Sequence, residues 1–150
     1  DGAAKPHDPA DYAVAVLSRP VPGAKPLRIR GDRAVVDERM IGIVAWQEME
    51  PAAAEGVPVV QDCAVRDLDA AAGNQPTNYL TDCDLSRGGS GGHLIARAGR
   101  EWVTSGVFST SGGKLSVGRS FSRRLGSFTR VIAIDAGAIS ALEKALAAVR

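Results

Sequence analysis

The chain lacks any apolar run long enough to cross a membrane. Its longest, Ile41 to Trp46, falls far short of the roughly 20 residues that a spanning helix needs. It also lacks an excess of charge of either sign, since 18 Lys and Arg stand against 17 Asp and Glu. A few arginines cluster late in the chain, at Arg119, Arg123, Arg124 and Arg130. No aromatic stacking series accompanies them, so they are interpreted as a solvated face, and neither a membrane nor a nucleic-acid partner is predicted.

Cysteine is scarce as well. Only Cys63 and Cys83 occur, 20 residues apart, which matches none of the paired Cys-x-x-Cys patterns that hold zinc. No metal and no cofactor are predicted. The two residues form either a disulfide or two buried thiols, and oxidising surroundings would favour the bridge.

The remaining composition is that of an ordinary soluble domain. Of 150 residues, 45% are hydrophobic and 23% charged, enough for one core, or for one core and part of another. The opening residues Asp1 to Pro6 include neither an initiator Met nor a signal-peptide pattern, and we expect a further segment upstream.

Short apolar segments with Gly, Pro and Asn between them dominate the pattern. Tyr12 to Leu17 predicts a buried strand, Pro20 to Pro26 a connector, and Leu27–Arg30 with Arg33–Val36 a hairpin around Gly31-Asp32. Further strands are predicted at 40–47, 57–65, 78–82, 93–98, 102–109 and 128–134.

A helical pattern occurs only at the end of the chain. Ile139, Leu142, Leu146 and Val149 follow helical spacing, and Asp135 is placed to cap the helix. The fold class predicted is all-β, an antiparallel barrel or sandwich with a C-terminal α-helix.

One serine is embedded in four glycines, in the segment Arg87-Gly88-Gly89-Ser90-Gly91-Gly92, directly before an apolar strand. Such a loop can fold tightly enough to aim two N–H groups at one point, where an acyl-transfer oxyanion would form. Alone, the pattern is equally typical of a flexible surface loop. The α/β-hydrolase elbow needs a helix after its serine, whereas His93 begins a predicted strand.

Gly-x-Ser-Gly-Gly followed by a strand resembles the nucleophile loop of chymotrypsin-like serine peptidases of bacterial type. The resemblance implies that Ser90 is the nucleophile and that the N–H groups of Gly88 and Ser90 form the oxyanion hole. It further implies a chymotrypsin-like arrangement: the end of a first barrel and a connector in 1–25, a second barrel in 26–134, and a terminal helix in 135–150.

Asp11 opens the apolar run that ends near Pro20, which resembles the acid motif of this family. It stands 79 residues before Ser90, a separation that suits compact bacterial members, and the resemblance assigns it the role of orienting the catalytic imidazole. A turn or strand-end aspartate is the alternative, and Asp8 is a poorer candidate for the same role.

The catalytic histidine has no good candidate. His7 lies in a Pro-flanked segment without the surroundings found in the family, and His93 follows Ser90 by three residues at a position that predicts a structural role. We expect the general base on a segment upstream of Asp1, either retained as a second chain or belonging to the longer protein.

The resemblance also suggests a substrate pocket formed by Asp84, Leu85, Gly106 and Phe108. Asp84 would favour Lys or Arg substrates, or it is a plain loop carboxylate. Phe108 argues against strict preference for an acidic residue. Gly89 replaces the Asp with which pancreatic-type members pair a freed N-terminus.

The predicted function is serine endopeptidase activity on peptide or protein substrates, in a secreted or periplasmic protein. Two alternatives remain: an inactive peptidase-like barrel that binds rather than cleaves, and an unrelated β-barrel in which Ser90 and Asp11 lie far apart.

Overall fold

A computed structural model describes residues 13–48, 57–69, 78–111, 120–134 and 136–148. These contain seven strands and one helix: β1 (Arg28–Ile29), β2 (Arg39–Val44), β3 (Val59–Asp69), β4 (Asn78–Thr81), β5 (His93–Ala98), β6 (Glu101–Ser111), β7 (Thr129–Ala133) and α1 (Ala136–Ala148).

Six of the strands close into an antiparallel barrel. The order is β6-β5-β2-β3-β4-β7, and a further pairing of β6 with β7 completes the circle. The strands β2, β3 and β4 follow one another, and β5 then returns to lie beside β2, which is a Greek-key connection. The predicted all-β barrel with a C-terminal helix is therefore confirmed.

The long strand β6 pairs with three other strands. One of its edges pairs with β5. The other edge pairs first with β1, in parallel at Val103 and Thr104, and then with β7, in antiparallel fashion from Gly106 onward. Gly106 permits the approach of β7, because a Cβ there would lie 2.4 Å from Val131 Cγ1 and 2.7 Å from the Ile132 carbonyl oxygen.

The core fills the barrel interior, where alternate residues of each strand point inward. Met40 and Val44 of β2 are buried and flank Gly42, whose missing side chain leaves room for the Phe108 ring. A Cβ on Gly42 would lie 2.9 Å from Phe108 Cζ. Further core residues are Val65, Tyr79, Leu94, Val103 and Val131.

The later strand predictions agree with the observed elements to within a few residues, with β3 extending on to Asp69. The predicted terminal helix is observed as α1. Its proposed cap, Asp135, and the last apolar position, Val149, lie outside the described residues.

The segment predicted as a buried strand near the start is not a strand over 13–17. Val16 and Leu17 are exposed at 43% and 65%. A strand is stable only when its backbone groups pair with a neighbour, and no described strand pairs with this segment.

The predicted hairpin is also wrong, although its first half forms β1. Rather than pairing with 33–36, β1 pairs with β6, and the Arg30 N–H continues this ladder to the Thr104 carbonyl at 2.9 Å. The returning segment has its own partners, since the Ala34 N–H donates to the Tyr79 hydroxyl and the Val35 N–H to the Glu38 carboxylate. Side-chain acceptors thus replace the expected strand ladder.

Cys63 on β3 and Cys83 after β4 form a disulfide, with their Cα atoms 5.0 Å apart, and both are buried. Of the two alternatives that the sequence left open, the bridge is the one observed. Among the described ranges, no helix is both long and apolar enough to cross a membrane.

Replacing both cysteines with alanine is expected to lower the free energy of unfolding by about 3 kcal/mol, because the bridge closes a loop of about 20 residues in the unfolded chain. Urea titration followed by tryptophan fluorescence measures the change. A reducing agent should bring the wild-type midpoint down to that of the double variant and leave the variant unmoved. A wild-type midpoint insensitive to reduction would contradict this expectation.

Candidate functional site

The segment 82–92 joins β4 to β5 and carries Ser90. Its first residues are attached to β3, where the Ala64 N–H donates to Asp82 Oδ1 at 2.6 Å and Arg66 Nε donates to Asp82 Oδ2 at 2.6 Å. The same Arg66 guanidinium contacts Asp37, and the two carboxylates raise the pKa of Arg66. The disulfide follows at the next residue, Cys83.

Two side chains bind the carbonyl groups just after this attachment. Thr129 on β7 donates its hydroxyl to the Cys83 carbonyl at 2.6 Å, and Gln61 on β3 donates its amide to the Asp84 carbonyl. The approach to the serine is therefore held by two strands of the barrel.

A second attachment comes from residues 46–48, which follow β2. The Gln47 side chain is 1% exposed, and its Oε1 accepts the Ser86 N–H at 3.0 Å. The Glu48 N–H donates to the Arg87 carbonyl at 2.8 Å. The indole of Trp46 lies against Gly88.

The serine itself sits on two successive tight turns that are paired with β6. The Gly89 N–H donates to the Ser86 carbonyl and the Gly92 N–H to the Gly89 carbonyl, both at 3.1 Å. The Gly91 N–H donates to the Phe108 carbonyl at 2.9 Å, and the Phe108 N–H to the Gly92 carbonyl at 2.8 Å. The backbone is hydrogen-bonded on both sides of Ser90, so the conformation of the loop is fixed by the fold.

Geometry requires glycine at several positions of the loop, of which Gly88 and Gly92 are examples. Gly88 has a φ of +93°, which side-chain-bearing residues rarely adopt. Gly92 lies so close to β2 that a Cβ would be 2.5 Å from Val44 Cγ1 and 2.6 Å from the Ile43 carbonyl oxygen. The glycine content of the segment thus has a structural cause beyond flexibility.

Ser90 is exposed, and its hydroxyl donates to the Ser109 carbonyl on β6 at 2.7 Å. The N–H groups of Gly88 and Ser90 differ from those of Gly89, Gly91 and Gly92. Among the described residues, neither donates to a backbone carbonyl. An exposed serine hydroxyl can attack a carbonyl carbon, and nearby N–H groups without a backbone acceptor can bind the oxygen that becomes negative.

Within the described residues, no other member of the predicted triad is found at this loop. Asp11, Asp8 and His7 lie outside the described ranges. His93 begins β5, where it pairs with Ile43 and Val107. It lines an apolar cleft of about 280 Å³ with Thr104 of β6 and Leu142 of α1, and no hydrogen bond joins it to Ser90 in the part of the chain described.

The four predicted pocket residues have different surroundings. Leu85 is buried beneath Gly89, whose Cβ would lie 2.1 Å from Leu85 Cδ1, and Phe108 is buried against Gly42 in the core. Gly106 lies against β7, and Asp84 is half-buried at the stem of the loop. Their role as a substrate pocket stays a prediction.

Three contributors were missed by sequence reasoning: Trp46, Gln47 and Ser109. The only sequence signal was a Trp-Gln pair at the end of the predicted strand 40–47, and Ser109 stood at the end of another. Their partners lie 19 or more positions away in the chain, so spacing alone could not identify them.

No protein-family model matches this chain, and no curated protein is found to be similar to it. The chemistry of the site is therefore inferred from its own residues.

Gly92→Ala is expected to destabilise the protein by about 1–3 kcal/mol, because the new methyl group would overlap a backbone oxygen that cannot move without disturbing β2. Denaturant unfolding measures the loss. Gly31→Ala is the matched control, since a Cβ there meets nothing within 4 Å and its φ is ordinary. That substitution should be neutral or slightly stabilising. Equal effects of the two substitutions would show that the loop is not packed as described.

Proposed function

We propose that this chain is the nucleophile-bearing barrel of a serine endopeptidase. The observation that carries the proposal is the loop around Ser90: an exposed hydroxyl, held by backbone bonds on either side, beside two N–H groups without backbone acceptors among the described residues. Acyl transfer uses N–H donors of this kind to bind the oxyanion, which supports the proposal.

The proposed reaction begins when Ser90 Oγ attacks the carbonyl carbon of a peptide bond. An imidazole takes the hydroxyl proton and returns it to the leaving amine, which departs and leaves an ester on Ser90. Water, activated by the same imidazole, then hydrolyses the ester. The N–H groups of Gly88 and Ser90 bind the oxyanion in both steps.

The imidazole is proposed to come from a segment upstream of Asp1, with Asp11 orienting it. A base is needed because the present acceptor of the Ser90 proton is the Ser109 carbonyl. A carbonyl oxygen accepts a hydrogen bond but cannot take up a proton at neutral pH. The incoming imidazole would therefore have to displace this hydrogen bond when it engages Ser90.

A secreted or periplasmic location is part of the proposal. Its support is the Cys63–Cys83 disulfide, because such bridges persist mainly in oxidising compartments.

The second candidate function is a peptidase-like barrel that binds peptides without cleaving them. The observation that favours it is the same hydrogen bond, which leaves the hydroxyl of Ser90 bonded to a carbonyl and no described imidazole bonded to it. Both candidates share the loop geometry and differ only in the reactivity of Ser90.

The intact gene product is expected to react with a fluorophosphonate probe, adding one probe mass to the peptide that contains Ser90, because an activated serine attacks phosphorus as it attacks a carbonyl. Intact-protein and peptide mass spectrometry measure the adduct. Ser90→Ala should abolish labelling and lower kcat on peptide substrates by about 10⁶-fold.

Ser18→Ala is the control, because Ser18 is an exposed serine that lies outside this loop. This variant should label like the wild type. A correctly folded intact protein that leaves Ser90 unlabelled would support the binding module and reject the peptidase.

A further inference from the structure

Trp46 places an aromatic ring directly beside one of the two proposed oxyanion donors. A Cβ built on Gly88 would lie 2.4 Å from both Cε3 and Cζ3 of the indole. The six-membered ring therefore packs on the Cα of Gly88. At the same time Trp46 is 50% exposed, so half of this large side chain is open to solvent next to the site.

The indole is held in place by its neighbours in the chain. Gln47 is buried and bonds the Ser86 N–H, and the Glu48 N–H bonds the Arg87 carbonyl. These two bonds fix the backbone of 46–48 against 86–87, one residue before Gly88. A rigid, half-exposed aromatic ring is a surface that binds an apolar side chain at little cost in conformational entropy.

The loop around Ser90 contacts β6 on one side and Trp46 on the other. Ser90, Gly91 and Gly92 bond to β6, whereas Gly88 contacts Trp46. A carbonyl group whose oxygen is bound by the N–H groups of Gly88 and Ser90 has two remaining substituents, and a substituent that extends past Gly88 would reach the indole.

We propose that Trp46 is a specificity-determining residue that contacts the leaving-group side of the substrate. The indole would bind an apolar or aromatic side chain on the residue immediately after the cleaved bond. This inference rests on the proposed peptidase function and deepens it.

The proposal has a kinetic signature. The leaving-group residue is present while the acyl-enzyme forms and has departed before water hydrolyses it. Loss of the indole should therefore slow acylation by peptides with an apolar leaving-group residue and leave hydrolysis of the acyl-enzyme unchanged. It should also reduce the capture of the acyl-enzyme by added phenylalanine amide, since that amine enters through the same subsite.

The test compares wild type and Trp46→Ala in the intact gene product, on peptides that differ only in having Phe or Gly after the cleaved bond. The variant should lose about 10- to 100-fold in kcat/KM on the Phe peptide, the worth of burying one large apolar side chain. On the Gly peptide, and in the deacylation rate, it should stay within about twofold. Trp46→Phe should restore most of the preference.

Trp102→Ala is the matched control. Trp102 is also partly exposed, at 39%, but it lies on β6 under the Arg97 guanidinium and away from the loop. Its replacement should leave the Phe-over-Gly preference unchanged.

Four results would overturn the proposal. An equal loss on Phe and Gly peptides, with slower fluorophosphonate labelling, would show that Trp46 only supports the loop. A changed preference for the residue before the cleaved bond would place the indole on the acyl side. If Trp46→Ala labels and cleaves like the wild type and still prefers the Phe peptide, the role of Trp46 is rejected. The proposed peptidase function is then unaffected. Failure of the wild-type protein to label at Ser90 would reject the proposed function and, with it, this subsite.

Discussion

The pairing of Phe108 with the glycines after Ser90 connects the barrel to the candidate site. The backbone N–H and carbonyl of one β6 residue bond Gly92 and Gly91, while its ring fills the space above Gly42 inside the barrel. One residue thus packs the core and positions the loop. Because the core is close-packed, the loop cannot shift without disturbing it. The position of the Ser90 hydroxyl therefore depends on how β6 is held by its neighbours.

The rest of the loop is held by contacts from distant parts of the chain. The disulfide and Asp82 attach its start to β3, Thr129 binds it from β7, and Gln47 binds it from the end of β2. Each hydrogen bond alone is worth little, but together with the disulfide and the Phe108 bonds they fix the backbone on both sides of the serine. Fixed donors need no reorganisation when charge develops at a bound carbonyl oxygen, which is why such loops suit catalysis. The same rigidity would serve a binding module that recognises a carbonyl group.

The sequence predicted well those features that arise from neighbouring residues. Short apolar segments separated by Gly, Pro and Asn located six barrel strands, and helical spacing located α1. The predictions near the start of the chain were wrong because they depended on which strand each segment pairs with. Residues 27–30 had the pattern of a strand, but local sequence could not show that β1 pairs with β6 in parallel, since this pairing joins residues 75 positions apart. The strand expected over 12–17 needed a hydrogen-bonded strand partner, and no described strand pairs with it.

The sequence by itself identified the glycine-flanked serine as a candidate nucleophile, the two cysteines as a candidate bridge and the positions of the barrel strands. These features depend only on residue type and on spacing over a few positions. The tertiary structure alone decided that the cysteines are bridged, that the Ser90 hydroxyl bonds the Ser109 carbonyl, and that Trp46 lies on Gly88. The physical reason is that barrel closure brings together segments far apart in the chain. Their meeting depends on the register of every intervening strand, which no local pattern encodes.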